Sequence, residues 1–245
     1  MHLTQSTQRT PSHDGRLEAR TARDPRFGKA MDPKDLMTRL RGALGAHDWA
    51  GQLEEPEAAL ARLAITLEAR SEYTTGRSER IAELARRLAA AWGLSREDQR
   101  NLWRAGLLHD VGKLGLPGDC SAKSGPLSPD DRLLVERHPE IGYEICRSLP
   151  SLQTVLPLIR GHHERLDGSG YPDGLRGESL TPALHCLIVA DYYDALTHAR
   201  PYRRALSQEE AFDMLREEVG LGRLLEDSVE LLSHVVREAP VVHFS

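Results

Sequence analysis

Helices, and only helices, are expected from this chain. From Pro56 onward its apolar residues recur at helical spacing, and the recurring stretches open on Ser or Pro and stop at Gly or polar loops. No segment alternates apolar and polar residues as a half-buried strand would. The class is all-α.

The elements follow in order. Residues 1–30 are rich in Ser, Thr, Arg and Pro without an apolar period, and are expected to be a disordered tail. Residues 31–55 suit a short helical or linker segment, because Gly42, Gly45 and Gly51 argue against a long rigid helix. Residues 56–245 are expected to form one domain. "PEAALARLAITLEAR" opens it with proline in the first turn of a helix. "SERIAELARRLAAAWG" is a second helix, stopped by Gly93. "SREDQRNLWRAGLLHD" starts on Ser95, a good cap, and "SPDDRLLVERH" places Ser128 as cap and Pro129 in the first turn. "HPEIGYEICRSL" and "SLQTVLPLIRGHH" continue the series. "TPALHCLIVADYYDALTH" is apolar enough to be central. "SQEEAFDMLREEV" begins with a capping box from Ser207 to Glu210, and "EDSVELLSHVVREA" is the last helix.

Composition narrows the function. At 245 residues with 40% hydrophobic and 28% charged residues, the chain has enough apolar material for a real core. A net charge of −5 gives no global reason to bind a nucleic acid polymer, so any anion site must be local. No apolar run approaches the roughly 18 residues of a membrane span. The amino terminus lacks the apolar stretch of a secretory signal. Cys120, Cys146 and Cys186 form neither zinc spacing nor a disulfide framework, and a cytoplasmic setting is expected.

The chemistry lies in a set of ligand types: His109-Asp110, His138, His162-His163 and Asp191. Adjacent helical residues point about 100° apart, so a tandem pair can grip one ion from two sides or serve two neighbouring ions. Imidazole mixed with carboxylate suits Fe, Mn, Zn or Co better than Ca or Mg. Asp191 sits in the apolar "LIVADYYDAL", where an unpaired charge would be costly to bury. An arginine partner or a metal would remove that cost. A lone histidine such as His185 or His234 is better read as a core or surface residue, and Cys186 as a buried structural thiol.

The segment "GHHERLDGSGYPDGLRGE" is too long for an ordinary turn between helices and starts on two histidines. Its glycines let the backbone fold back as a lip over a metal pocket, with Tyr171-Pro172 stiffening it. Glu164 and Asp167 are expected to anchor the histidines from outside.

"LLHDVGKLGLP", "RHPEIGYEI", "IRGHHERLDGSGYPDGLRGE" and "LIVADYYDALTHARPYRRALSQEEA" together resemble the HD-GYP family, a branch of the HD-domain metal phosphohydrolases. The resemblance covers about residues 57–237 in order, and its "HHExxDGxGYP" motif is complete. It implies an HD-domain helical bundle with an extended Gly-rich loop, a centre of one or two divalent transition metals, and hydrolysis of cyclic di-GMP to pGpG, with either pGpG or GMP as the end product. Iron or manganese would lead, with Zn, Co and Ni as alternatives. Signalling protein partners are implied, but neither a membrane nor a nucleic acid polymer. Carried across by position, the metal ligands are His109, Asp110, His138, His162, His163 and Asp191. Asp110 and Lys113 are the catalytic residues. Lys113, Arg200, Arg203, Gly170 and Tyr171 would meet the substrate.

One position departs from the pattern. The family has a histidine ligand in a "TGxHxxR"-like segment, and "SEYTTGRSERI" puts Arg77 there, or Ser78 with a one-residue shift. Tyr73 stands where some members carry a glutamate for a third metal, so a trinuclear centre is not expected. A guanidinium has no lone pair to give a metal and carries a fixed positive charge. Two outcomes follow. Arg77 points away and a weakened two-metal site survives, or it pairs with Asp191 and one metal remains. The leading expectation is a cyclic di-GMP phosphodiesterase. Its rivals are a catalytically degenerate module that binds the nucleotide or a protein, and a hydrolase of another cyclic dinucleotide.

Overall fold

The computed structural model describes residues 60–64, 76–116, 128–200 and 203–238. The expected tail over 1–30, the segment over 31–55, most of the first helix, Tyr73 and Cys120 lie outside these residues. Residues 60–64 are helical. The helices that follow are α1 (Arg77–Ala91), α2 (Arg96–Leu108), α3 (Pro129–Val135), α4 (His138–Cys146), α5 (Leu156–Gly161), α6 (Pro182–Thr197), α7 (Gln208–Gly220) and α8 (Glu226–Glu238). Short 3-10 turns cover Val111–Gly115, Pro150–Leu152 and Gly177–Ser179. Among the described residues there is no strand, only an isolated bridge between Arg200 and Arg203. The fold is all-α, as expected.

Local chemistry sets the helix starts. Ser95 accepts from the Asp98 N–H at 3.0 Å, and Ser128 and Ser207 each close a reciprocal box, with Asp131 and Glu210. The two elements expected around His138 are separate helices, parted at Glu136–Arg137. The helix expected from Ser95 to Asp110 ends at Leu108. That early stop turns Asp110 out of the helix and into the 3-10 turn.

Packing then brings distant segments together. α6 is buried nearly all round, through Leu184, Leu187, Val189, Ala190 and Tyr193, and runs through the core against α1, α2 and α5. The turn after α2 lies tight on α4. A Cβ on Gly112 would sit 1.8 Å from the His138 carbonyl oxygen, so only glycine permits this contact. The contact holds Asp110 beside His138, 28 positions further along the chain. No described helix is long and apolar enough to cross a membrane.

Candidate metal centre

The six side chains expected as ligands converge. His109 caps the end of α2, Asp110 begins the following turn, His138 opens α4, His162 and His163 follow α5, and Asp191 lies within α6. Three of the histidines are fixed from behind by backbone. Nδ1 of His109 is 2.8 Å from the Gly106 carbonyl, that of His138 is 2.6 Å from Val135 and that of His162 is 2.7 Å from Ile159. A carbonyl can only accept, so each Nδ1 carries the proton, and a neutral ring then presents its Nε2 lone pair forward.

Those lone pairs crowd one point. Nε2 of His138 lies 3.1 Å from Nε2 of His162 and 3.1 Å from Asp110 Oδ1. Burial, helped by the neighbouring His163, His138 and His109, holds His162 well below the usual histidine range, so its ring is neutral. Burial pushes His163 down to about 3. Two imidazole lone pairs and a carboxylate oxygen facing one another need a cation between them. His138, His162 and His163 each offer a ligand atom within 4.8 Å of the others. This half of the centre fits a divalent transition metal, with Asp110 at its edge.

The other half does not. Arg77, on the first turn of α1, turns inward and is buried. Its Nη2 pairs with Asp191 Oδ1, its Nη1 donates to Asp194 Oδ2 at 3.0 Å, and its Nε lies 4.0 Å from Asp110 Oδ2. Of the two placements left open by the sequence, Arg77 turns inward and pairs with Asp191. Arg80, one turn on, donates through Nε to Asp194 Oδ1 at 2.7 Å. His109 Nε2 is buried without a hydrogen bond, 3.2 Å from Asp110 Oδ2 and 3.7 Å from Asp191 Oδ1. Against burial, which raises it, the Arg77 charge holds Asp191 below the usual carboxylate range. Against burial, Lys113 and His109 do the same more strongly for Asp110. Lys113 Nζ sits 2.6 Å from Asp110 Oδ2 and is partly exposed, at the mouth of the site.

The glycine-rich segment folds back over the centre. The Tyr171 N–H donates to the His163 carbonyl at 3.2 Å, and the Tyr171 ring lies 4.8 Å from the His163 ring. A Cβ on Gly170 would come within 2.4 Å of the Arg165 nitrogen and 2.5 Å of Glu164 Cα. Gly170 therefore serves close backbone approach, a need that the expectation of a substrate contact did not foresee. Glu164 and Asp167 require a correction. The Glu164 carboxylate accepts from the N–H groups of Asp173 at 2.7 Å, Gly174 at 3.1 Å and Leu175 at 2.9 Å. Asp167 caps its own turn by accepting from the Ser169 N–H at 2.9 Å. Both hold the loop, and backbone carbonyls orient the histidines.

Arg200 and Arg203 face each other through their backbones, and Nη2 of Arg203 donates to the carbonyls of Ala195 and Leu196 at the end of α6. That donor is engaged in finishing a helix. His185 is buried and lowered by burial, and Cys186 is a buried thiol pushed up to about 12, as core residues should be. Sequence reasoning missed Asp194 and Arg80. The available signal was a pair of matching intervals, Asp191 to Asp194 and Arg77 to Arg80, each three residues and so on one helix face.

A helical bundle that aims buried histidines and a carboxylate at one point has the donors to hold a metal, an arrangement of the HD type. A family model described as HD domain matches residues 63–224. The chain belongs to the HD-domain family, in its HD-GYP branch. It is 38% identical over 162 residues to the 3'3'-cGAMP-specific phosphodiesterase 1 of Vibrio cholerae, covering 66% of this chain and 38% of that one. It is 39% identical over 172 residues to the cyclic di-GMP phosphodiesterase response regulator RpfG of Xanthomonas campestris, covering 69% and 46%. The chain thus spans less than half the length of these relatives. Among solved structures, Bd1817, an HDG"Y"P protein from Bdellovibrio bacteriovorus, superposes with a TM-score of 0.57 at 21% identity, over 92% of this chain and 81% of that one. The HD domain of the L. monocytogenes phosphodiesterase PgpH gives 0.54 at 12% identity, over 75% and 96%. Both likenesses concern the fold.

Proposed function

We propose that this chain is a metal-dependent phosphodiesterase of a cyclic dinucleotide, with cyclic di-GMP as substrate and linear pGpG as product. The observation that carries the proposal is the meeting of the His138 and His162 Nε2 atoms 3.1 Å apart, beside Asp110. The relatives named as cyclic di-GMP and 3'3'-cGAMP phosphodiesterases supply the substrate class. A divalent ion held by His138, His162, His163 and Asp110 would supply Lewis acidity toward a phosphate and acidify water. In the reaction, water adds its oxygen to phosphorus, the P–O3′ bond breaks, and the 3′ oxygen takes up a proton. Backbone carbonyls keep the rings aimed with no reorganisation. Lys113 stands at the mouth, where its charge can face the phosphate as negative charge builds. Tyr171 backs His163 and holds the loop against the site. Arg200 and Arg203 are assigned to the phosphate by position in the motif, with Arg203 also closing α6.

The test is chromatography of cyclic di-GMP and 3'3'-cGAMP incubated with the full chain and Mn(II) or Fe(II). Linear dinucleotide from cyclic di-GMP, lost on adding chelator, is expected. Metal bound without turnover of either nucleotide would reject the enzyme. A second reading, a binding module, is favoured by the Arg77–Asp191 pair and predicts nucleotide binding without cleavage.

A further inference from the structure

We propose that Arg77 is a resident cation standing in for a second metal ion, so that this centre holds a single divalent ion, on its histidine side. The inference rests on the histidine cluster being a metal site, as argued above, and adds how many ions the chain takes and which residue sets the number.

The carboxylates that would complete a second ion's coordination are already engaged. Arg77 touches Asp191 directly and stands 4.0 Å from Asp110, the two acids that flank His109. It also reaches Asp194, which Arg80 shares. Each carboxylate of this half already faces a cation: Arg77 faces Asp191 and Asp194, Arg80 also faces Asp194, and Lys113 faces Asp110, with His109 and His198 packed beside them. A second doubly charged ion would have to expel a buried guanidinium from two carboxylates. Desolvated charges part at a high cost when one is left behind. A lysine or histidine in this place could yield by losing its proton, but a guanidinium keeps its charge at every working pH. The exclusion is therefore permanent.

The two halves also differ in what their donors do. On the histidine side the Nδ1 protons are directed backward and the Nε2 lone pairs forward, an arrangement short of one cation. On the Arg77 side the cation is covalently part of the chain. A planar group with fixed donors pairs well with two carboxylates at once, and that is how Arg77 is held, with Nη1 on Asp194 and Nη2 on Asp191.

The experiment needs no nucleotide. The full chain is stripped with chelator and titrated with Mn(II), and bound manganese is counted by elemental analysis and examined by electron paramagnetic resonance. One ion per chain is expected, with the six-line signal of an isolated Mn(II) and no exchange-coupled pair. Asp191→Asn should keep that ion with affinity within about threefold of the parent, because Asp191 is not its ligand. His163→Ala should lose it. Arg77→His should take up a second ion and show the coupled signal. Two ions on the parent, loss of an ion in Asp191→Asn, or a folded Arg77→His that still takes only one would each overturn the proposal. If Arg77→His fails to fold, the parent and Asp191→Asn decide it. Manganese retained by His163→Ala, and by His162→Ala alongside it, would instead reject the histidine site itself. That outcome would also remove the basis of the proposed function.

Discussion

The two halves of the centre share Asp110 and differ in how their charge is arranged. On the histidine side, the rings of His138, His162 and His163 approach one another, and His138 and His162 turn their Nδ1 protons back onto carbonyls and their Nε2 atoms forward. On the other side, Arg77 and Arg80 engage Asp191 and Asp194 completely enough to form a buried ionic network. Both halves are buried and both are built from ligand types. What separates them is that one is organised to receive a cation and the other already contains one. Ligand chemistry alone therefore does not define a metal site; the position of every nearby charge must be counted with it.

The comparison breaks most readily at the histidines. His163→Ala should lower metal affinity by at least about a hundredfold and take any hydrolysis with it, since a ligand matters more than the outer contacts that typically cost ten- to hundredfold. Metal titration of the purified variant checks this, and unchanged affinity would remove His163 from the site. Arg77→Ala tests the other half. It leaves Asp191 without its guanidinium, although Asp194 keeps Arg80. A loss of about 3–5 kcal/mol is expected from denaturant unfolding. A loss under about 1 kcal/mol would place the pair among surface bridges of little consequence.

A smaller effect is expected at the loop that joins the two. Gly170→Ala drives a Cβ into the backbone of Glu164 and Arg165 and should cost about 1–3 kcal/mol. The shift is transmitted to His163 through Tyr171, so metal affinity should fall too, while Ser169→Ala, on the exposed turn, leaves it unchanged. The smallest effect is at the start of α7. Ser207→Ala should cost about 1 kcal/mol by removing the cap. Glu210 is lowered to about 2 by its hydrogen bond to Arg204, with the Ser207 N–H assisting. Because the folded value lies below the unfolded one, its contribution is present above the ordinary glutamate value of 4.5 and is lost as pH falls toward 2. An acid titration of thermal stability should therefore show a shallower slope over that window in Glu210→Gln than in the parent.

The sequence by itself determined the helical class, the caps at Ser95, Ser128 and Ser207, the identity of the side chains that converge and the presence of a loop that begins on His162-His163. These are local matters: a periodicity, a capping side chain and a motif whose residues stay adjacent whatever the chain does later. It also flagged Arg77 as the point of departure, because a guanidinium cannot ligate. Tertiary structure alone decided where that guanidinium went, since its partners on α6 lie 114 and 117 positions away and their distance depends on how α1 packs there. It likewise gave Glu164 to the backbone of Asp173, Gly174 and Leu175, and gave the aiming of His109, His138 and His162 to carbonyls three residues earlier, in the last turns of the preceding helices. The physical reason is that a charge buried by packing must find its counter-charge among whichever elements the packing brings close, and sequence order does not say which those are.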